Sequence, residues 1–505
     1  MWNKQKEKKM KMFRKILLVL LLLLPLAGCG SSEKDESVIE NIDELNGRNM
    51  GCMSGSIFDV LIEKTFPASE IIYFGSRSEL LLGLTTNKID GFVSDEPVAM
   101  MMVKQNGEVT YLDEAIGEVN YGICFSNESK DKLAQFNDYL KKLDDSGELE
   151  TLQEKWINPE GASKKKGEYD LDGRNGTLRC VTTPDAAPFS FVSNNDYQGY
   201  EAQLLYGFAQ EYGYDIEIST VSFDALLTSV AMNKYDIAFN GIYITEERAK
   251  SVNFCTPTYT GRVVAMVRNN AVSESKGFVE SIKDSFYKNF IEEDRYKLLL
   301  SGALVTVIIS FLSIVFGTLF GLLIYIVSTF NRYTKKILDS LQKILSKLPA
   351  VVLLMLLFYV VFKKSTIAAT IVSIIGFSVI FGFTFYGLLK TGVASIDKGQ
   401  NEATVALGFE KWIAFFHIIM PQVLKVILDT YLSEVIALIK NTSIVGYVSV
   451  SDLTRASDII RGRTYDALFP LVFVAIIYYL LCTLETAIIK IPFKWYINMK
   501  VEYND

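Results

Sequence analysis

The sequence predicts an α/β half followed by an all-α membrane half with five spans, and three observations carry this. Residues 177–269 alternate strand-like and helix-like runs, five apolar runs fill residues 298–489, and the chain opens with the pattern of an export signal. At 505 residues there is room for two or three domains. The net charge of −7 and the lack of a basic, aromatic-interleaved stripe exclude nucleic acid as a partner. With one histidine, His417, and six cysteines at no zinc-ligand spacing, neither a metal nor another cofactor is expected. Spacing leaves the pairing of the cysteines open.

The first element is "MWNKQKEKKMKMFRK", a basic stretch, followed by the apolar "ILLVLLLLLPLAG", which is short for a span. Residues 1–28 therefore read as a signal peptide. "LAGC" at 26–29 resembles the lipobox of bacterial lipoproteins, which implies lipidation of Cys29 and a lipid-anchored tether over 29–44. An uncleaved signal anchor is the alternative.

In the outer half, "TLRCVTT", "YDIEIST" and "YDIAFNG" read as strands, with helices through "YEAQLLYGFAQEYG" and "FDALLTSVAMNK" between them. That order implies parallel strands with crossover helices. "ITEERAKSV" starts a short helix capped by Thr245, which puts Arg248 in the first turn, against the helix dipole. Such a cation is favourable if an anion sits at the same N-terminus. Local pairing with Glu246 or Glu247 is the bland alternative. Asp95 precedes Glu96-Pro97 and could cap a helix or accept from an ammonium group.

The apolar runs cover residues 298–330, 349–362, 365–389, 413–439 and 468–489. Basic residues after the first run (Arg332, Lys335, Lys336, Lys343, Lys347) and in the tail place both on the inside. The α/β half and residues 441–466 are then outside, although Arg455, Arg461 and Arg463 run against the rule. "GTLFG" in the first run reads as a helix-packing motif. Asp429 and Glu434 in the fourth should face a cavity or partner helix, or pair with Lys425.

Between the third and fourth runs, "EATVALG", nine residues and "IIMP" resemble the EAA motif of ABC importer permeases, with Thr404 and Met420 departing from its usual residues. The resemblance implies a cytoplasmic coupling helix docked on a separate ATPase. Ala403 and Gly408 would allow close approach, Glu402 would meet the ATPase surface, and Pro421 would restart the chain as a span. "LIKNTSIVGYVSVSDLTRA" further resembles the polar amino-acid subfamily.

"TPDAAPFSF", "GYEAQLLYGFAQEYGY" and "KYDIAFNGIYITEERAKSVNFCTPTY" resemble the first lobe of polar amino-acid-binding clamshells, and "ELNGRNMGCMSGSIFD" and "LLLGLTTNKIDGFVSDEPVAMMM" resemble the second. The lobes stand in reversed order, which implies a circularly permuted, family 3 type solute-binding domain. The implied organisation is second lobe with closing helices 45–157, linker 158–176, first lobe 177–270, linker 271–295, transmembrane domain 296–490 and tail 491–505. The resemblance assigns Arg248 to the ligand α-carboxylate with Ser56, and Asp95 to the α-ammonium. Phe223, Gly241, Tyr243 and Thr183 complete the site, and Thr183 favours a neutral or acidic amino acid.

The function implied is amino-acid import by a transporter subunit in the cell membrane, not an enzyme. No G-x-x-x-x-G-K-[ST] occurs, so an ABC ATPase must act in trans. One coupling helix per chain and two ATPase subunits imply a homodimer. A ligand-gated channel or sensor using the same clamshell is the alternative.

Overall fold

The structure, a computed structural model, describes residues 39–501 except 159, 161–163, 194–195, 270–277 and 363–366. The expected signal peptide, Cys29 and most of the tether lie outside the described residues.

The α/β half contains two five-stranded sheets. The first is built from β1 (Asn49–Met53), β2 (Glu70–Phe74), β3 (Gly91–Asp95) and β4 (Val109–Tyr121). The second is built from β5 (Cys124–Phe125), β6 (Thr177–Thr182), β10 (Asp215–Thr220), β11 (Ile237–Ala238) and β12 (Asn253–Phe254). Between β6 and β10, three short strands form a small sheet: β7 (Asp185–Ala186), β8 (Ser190–Ser193) and β9 (Asp196–Gln198). The last strand, β13 (Tyr259–Arg268), returns to the first sheet, giving the order β2-β1-β3-β13-β4 beside β10-β6-β11-β5-β12. β1 pairs in parallel with β2 and β3, and β6 with β10 and β11, as helical crossovers require.

The lobes differ from the two sequence halves expected. β13 follows the second sheet in sequence yet lies antiparallel between β3 and β4, while β5 leaves the early half to join β11 and β12. The helices Lys130–Ser146 and Glu148–Trp156 likewise pack on the later half. Phe136 meets Phe208 edge-on at 5.2 Å, and the buried Trp156 donates to Gln203 at 2.8 Å. Each lobe is thus completed by the other half, and the chain crosses between them at 121–124 and 254–259. Cys52, Cys124, Cys180 and Cys255 are buried and free.

Among the described residues, four helices are long and apolar enough to cross a bilayer: Tyr296–Phe330, Ala369–Ser395, Lys411–Val448 and Leu468–Phe493. The second apolar run departs from expectation. Ala350–Val361 is only about 18 Å long and meets the amphipathic helix Arg332–Leu345 at 106°. Pro349 makes this corner, because proline disfavours helical geometry in the residue before it and supplies no N–H. Hydropathy recorded the apolar run but not its break.

The "GTLFG" glycines do pack helices. A Cβ on Gly321 would lie 2.4 Å from the Gly382 carbonyl, and one on Gly317 3.0 Å from that of Ser378. Pro421 stands in the first turn of the helix Met420–Asn441, as a residue that restarts a helix would. It sits inside the continuous run Lys411–Val448, immediately after a π turn at Phe415–Ile419. The wider turn accommodates a ring that would clash with the carbonyl four residues back. Asp429 is exposed and Glu434 half-buried, and among the described residues neither forms an ion pair with Lys425.

Candidate functional site

Arg248 and Asp95 lie at the junction of the two lobes, but the space expected between them is filled. Thr245 caps the four-residue helix Glu246–Ala249 by accepting the Arg248 N–H, as its sequence requires. The Arg248 guanidinium donates to the carbonyls of Tyr243 at 3.2 Å and Gly55 at 3.0 Å, the latter in the other lobe. Its burial lowers its pKa. Asp95, at the end of β3, accepts from Tyr121 at 2.7 Å and from Tyr243, so its carboxylate makes no helix cap. Burial raises the Asp95 pKa, opposed by Arg77 and the two tyrosine hydroxyls. Tyr243, where a small hydroxyl residue is usual in the family it resembles, thus occupies the space with its own ring. Phe58 and Tyr121 pack on it at 5.4 and 5.1 Å.

The remaining predicted residues divide. Ser56 is used within its own turn, its N–H bonded to Met53 and its hydroxyl accepting from the Phe58 N–H. Gly241 has φ +64 and packs on Phe189, where any Cβ would meet the ring at 2.8 Å. Its N–H donates to the fully buried Glu201 at 2.8 Å. Thr183 and Phe223, by contrast, open onto the main cavity.

That cavity, about 390 Å³, lies between the α/β half and the membrane half. Arg77, Glu79, Thr183, Asp185 and Phe223 line one side, and Tyr447, Asp452, Arg455 and Asp458 the other. Arg77 begins the helix Arg77–Thr85 behind its cap Ser76, and its side chain is 7% exposed. Its nearest carboxylates are Asp185 at 3.8 Å and Asp95 at 4.0 Å. Among the described residues it makes no hydrogen bond. Asp185 accepts from the Thr183 hydroxyl at 2.6 Å. Asp452 caps the helix Leu453–Thr464, and burial pushes its pKa up to about 6.

Sequence reasoning missed Arg77 and Asp185. The signal that drew attention to Arg248, a cation in a capped first turn, was equally present in "SRSELLLG" at 76–83.

Of the arginines that ran against the charge rule, Arg455 and Arg461 hold the two halves together, and Arg463 ties the segment before the first span. Arg455 donates to the Val221 carbonyl at 2.6 Å, Arg461 bridges Glu79 and Asp458 at 3.1 and 3.0 Å, and Arg463 pairs with Glu293. Tyr235 bonds Ser449, and the Lys234 ammonium lies 4.1 Å from the centre of the Phe358 ring.

The helix Lys398–Ala406 lies at the far end of the bundle, because Ala369–Ser395 and Met420–Asn441 each run the length of it in opposite directions. Gly408 ends it at φ +76, the Gly408 N–H reaching Val405 and the Phe409 N–H reaching Thr404. That paired closure is a Schellman motif, which favours glycine. Nothing lies within 4 Å of a Cβ built on Gly408, and Glu402 and Ala403 are exposed. Val405 and Leu407, each 74% exposed, leave an apolar face uncovered in the single chain.

Glu201 gives a testable pH dependence. Burial pushes its pKa up to about 7, against an ordinary value of 4.5. A raised folded pKa means that the stability contribution is complete below the unfolded value and is lost as pH rises through the folded one. The loss approaches about 3 kcal/mol by this shift. Glu201→Gln should therefore melt higher than the parent above pH 7 and lose that advantage below about pH 4.5. Melting curves across this range check it, and a pH-independent difference would exclude a buried ionisable carboxyl.

Comparison with known proteins covers both halves. Residues 178–352 match the model for bacterial extracellular solute-binding proteins, family 3. Residues 313–491 match that for the inner membrane component of binding-protein-dependent transport systems. A protein from Rickettsia felis named as a glutamine transport system permease, GlnP, is 29% identical over 198 residues, 38% of this chain and 90% of that one. The arginine ABC transporter permease ArtQ of Haemophilus influenzae is 29% identical over 199 residues, 38% of this chain and 89% of its own. A solved structure, "Crystal structure of an amino acid ABC transporter with histidines", aligns at 24% identity with a TM-score of 0.37, over 45% of this chain and 100% of that one.

Proposed function

We infer, from a chain that joins a family 3 solute-binding region to the membrane component of a binding-protein-dependent transport system, that it is an amino-acid ABC importer subunit carrying its own receptor. The observation that carries this reading is the seating of both lobes on one end of the membrane helices around the 390 Å³ cavity. A receptor that releases ligand into a permease requires such a junction. The similarity to glutamine and arginine permeases supports an amino acid as cargo. The uncharged Thr183 beside the cavity leaves neutral or acidic ligands favoured.

The α/β half acts as one permuted clamshell facing the extracytoplasmic side, anchored by Cys29 or by a retained signal. The exchange of β5 and β13 between the sheets supports this, since a clamshell opened at a different loop would have that connectivity. Arg248, Asp95, Tyr243 and Gly241 serve as its latch, with Ser56 in the turn beside it. Five spans are reached when the bent pair Arg332–Leu345 and Ala350–Val361 is one of them.

Glu402, Ala403, Gly408 and the turn before Pro421 present the surface for an ATPase in trans. Two chains pair in the membrane, and the exposed stripe Lys425, Asp429, Ser433 at helical spacing supports a second copy over it. ATP-driven uptake of labelled amino acids into proteoliposomes tests the reading, and no uptake of any amino acid would refute it.

A further inference from the structure

Arg77 is a buried guanidinium without a hydrogen bond among the described residues. Two carboxylates stand 3.8 and 4.0 Å from it, yet a buried guanidinium ordinarily has its donors hydrogen-bonded as well. Its donors instead border a cavity of about 390 Å³, a size suited to a small organic ligand. Across 3.8 Å stands Asp185, whose Oδ1 holds the Thr183 hydroxyl and whose other oxygen has no hydrogen-bond partner among the described residues. A cation with open donors beside an anion with an open acceptor is the complement of a zwitterion.

The other charges nearby are largely engaged, and Arg455, bonded to Val221 and Thr220, keeps only its Nη1 without a hydrogen bond among the described residues. Asp452 accepts from the N–H groups of Thr454 and Arg455 and from the Tyr478 hydroxyl. Asp458 and Glu79 both hold Arg461. Arg455 reaches the cavity from the membrane half while its Nη2 is fixed to Val221. Meanwhile the Arg248–Asp95 space is closed by Tyr243.

We propose that the chain binds the backbone of an α-amino acid at the junction of its two halves, with the carboxylate on Arg77, the ammonium on Asp185, and Arg455 of the membrane half completing the site. The inference rests on the amino-acid reading above and adds where the ligand sits. The receptor site is then incomplete without the permease, so capture and release share one chamber. A ligand bound there already touches the membrane half, and no transfer between separate pockets is required.

Calorimetric titration of the full chain in nanodiscs tests it, using the common free L-amino acids singly and, for each binder, its N-acetyl and α-amide derivatives. Arg77→Gln should raise Kd about 30-fold or more and abolish discrimination against the α-amide. Asp185→Asn should raise Kd about tenfold and narrow the gap between free and N-acetylated ligand. Arg455→Met, outside the clamshell, should raise Kd about tenfold. Melting curves identify any variant that fails to fold, and Asp185→Asn and Arg455→Met then decide without Arg77. If the parent binds an amino acid but these variants bind as it does while Arg248→Gln does not bind, the junction site is overturned and the import reading stands. If the parent binds none of the amino acids, both fall.

Discussion

Gly408→Trp should abolish ligand-stimulated ATP hydrolysis while leaving membrane insertion and amino-acid binding intact. The expectation follows from two features of the helix Lys398–Ala406. Its closing glycine is in the left-handed region, where an L side chain costs about 1 kcal/mol. Its outer face, with Val405 and Leu407, is uncovered in the single chain. The Cβ of a side chain at Gly408 would stand in open space, apart from its chain neighbours. An indole there would stand on the face proposed for the ATPase, and packed contacts tolerate little added volume. Gly408→Asn separates the two effects, because asparagine accepts the left-handed conformation and adds little bulk. It should keep most of the coupling, and Glu402→Lys should weaken it. The measurements are copurification with the ATPase and hydrolysis with and without ligand. Intact coupling in both Gly408→Trp and Glu402→Lys would reduce the segment to an interfacial connector.

Asp95→Ala should lower the stability of the α/β half by about 3–5 kcal/mol in the absence of any ligand. Its carboxylate takes hydroxyls from Tyr121 and Tyr243 and faces Arg77 at 4.0 Å, with all four side chains buried. Removing it leaves two hydroxyls without their acceptor and takes one of its two carboxylates from Arg77, in a desolvated site where each unmet group is penalised. Asp95→Asn keeps the acceptor and loses only the charge, so it should cost less. Thermal unfolding of the ligand-free protein reads the difference. A residue that served the ligand alone would leave that unfolding unchanged, and an unshifted melt would contradict the latch.

The helices and parallel strands were legible because their signals are local. "TLRCVTT" falls on Thr177–Thr182 and "YEAQLLYGFAQEYG" on Tyr200–Tyr212, each a run whose periodicity or crossover order depends on nothing distant. Gly408 was read as a site of close approach; in the single chain it is the left-handed turn that ends its helix, with open space at its Cβ. Less visible were features that depend on pairing across the fold. β5 has two residues, too few for a pattern, and its partners lie more than a hundred positions away. The corner at Pro349 was hidden because hydropathy counts apolar residues and not their direction. Tyr243 was placed in the site, but its type alone could not reveal that its hydroxyl reaches Asp95. The cavity was hidden most completely, since Arg77 and Arg455 are separated in sequence by most of the α/β half and by four of the five apolar runs. Arg455, Arg461 and Arg463 illustrate the same limit. As charges on a topology map they were exceptions; as partners of Val221 and Glu79, Arg455 and Arg461 fix the two halves together, and Arg463 holds Glu293 before the first span.

The central claim, that receptor and translocation path belong to one chain, is tested most directly by uptake into proteoliposomes containing this chain and its ATPase, with ATP supplied on the ATPase side and no soluble binding protein added. The account predicts saturable, ATP-dependent accumulation of an amino acid under those conditions, lost with Gly408→Trp. Uptake that appears only after a separate binding protein is added, or that proceeds without ATP, would contradict it.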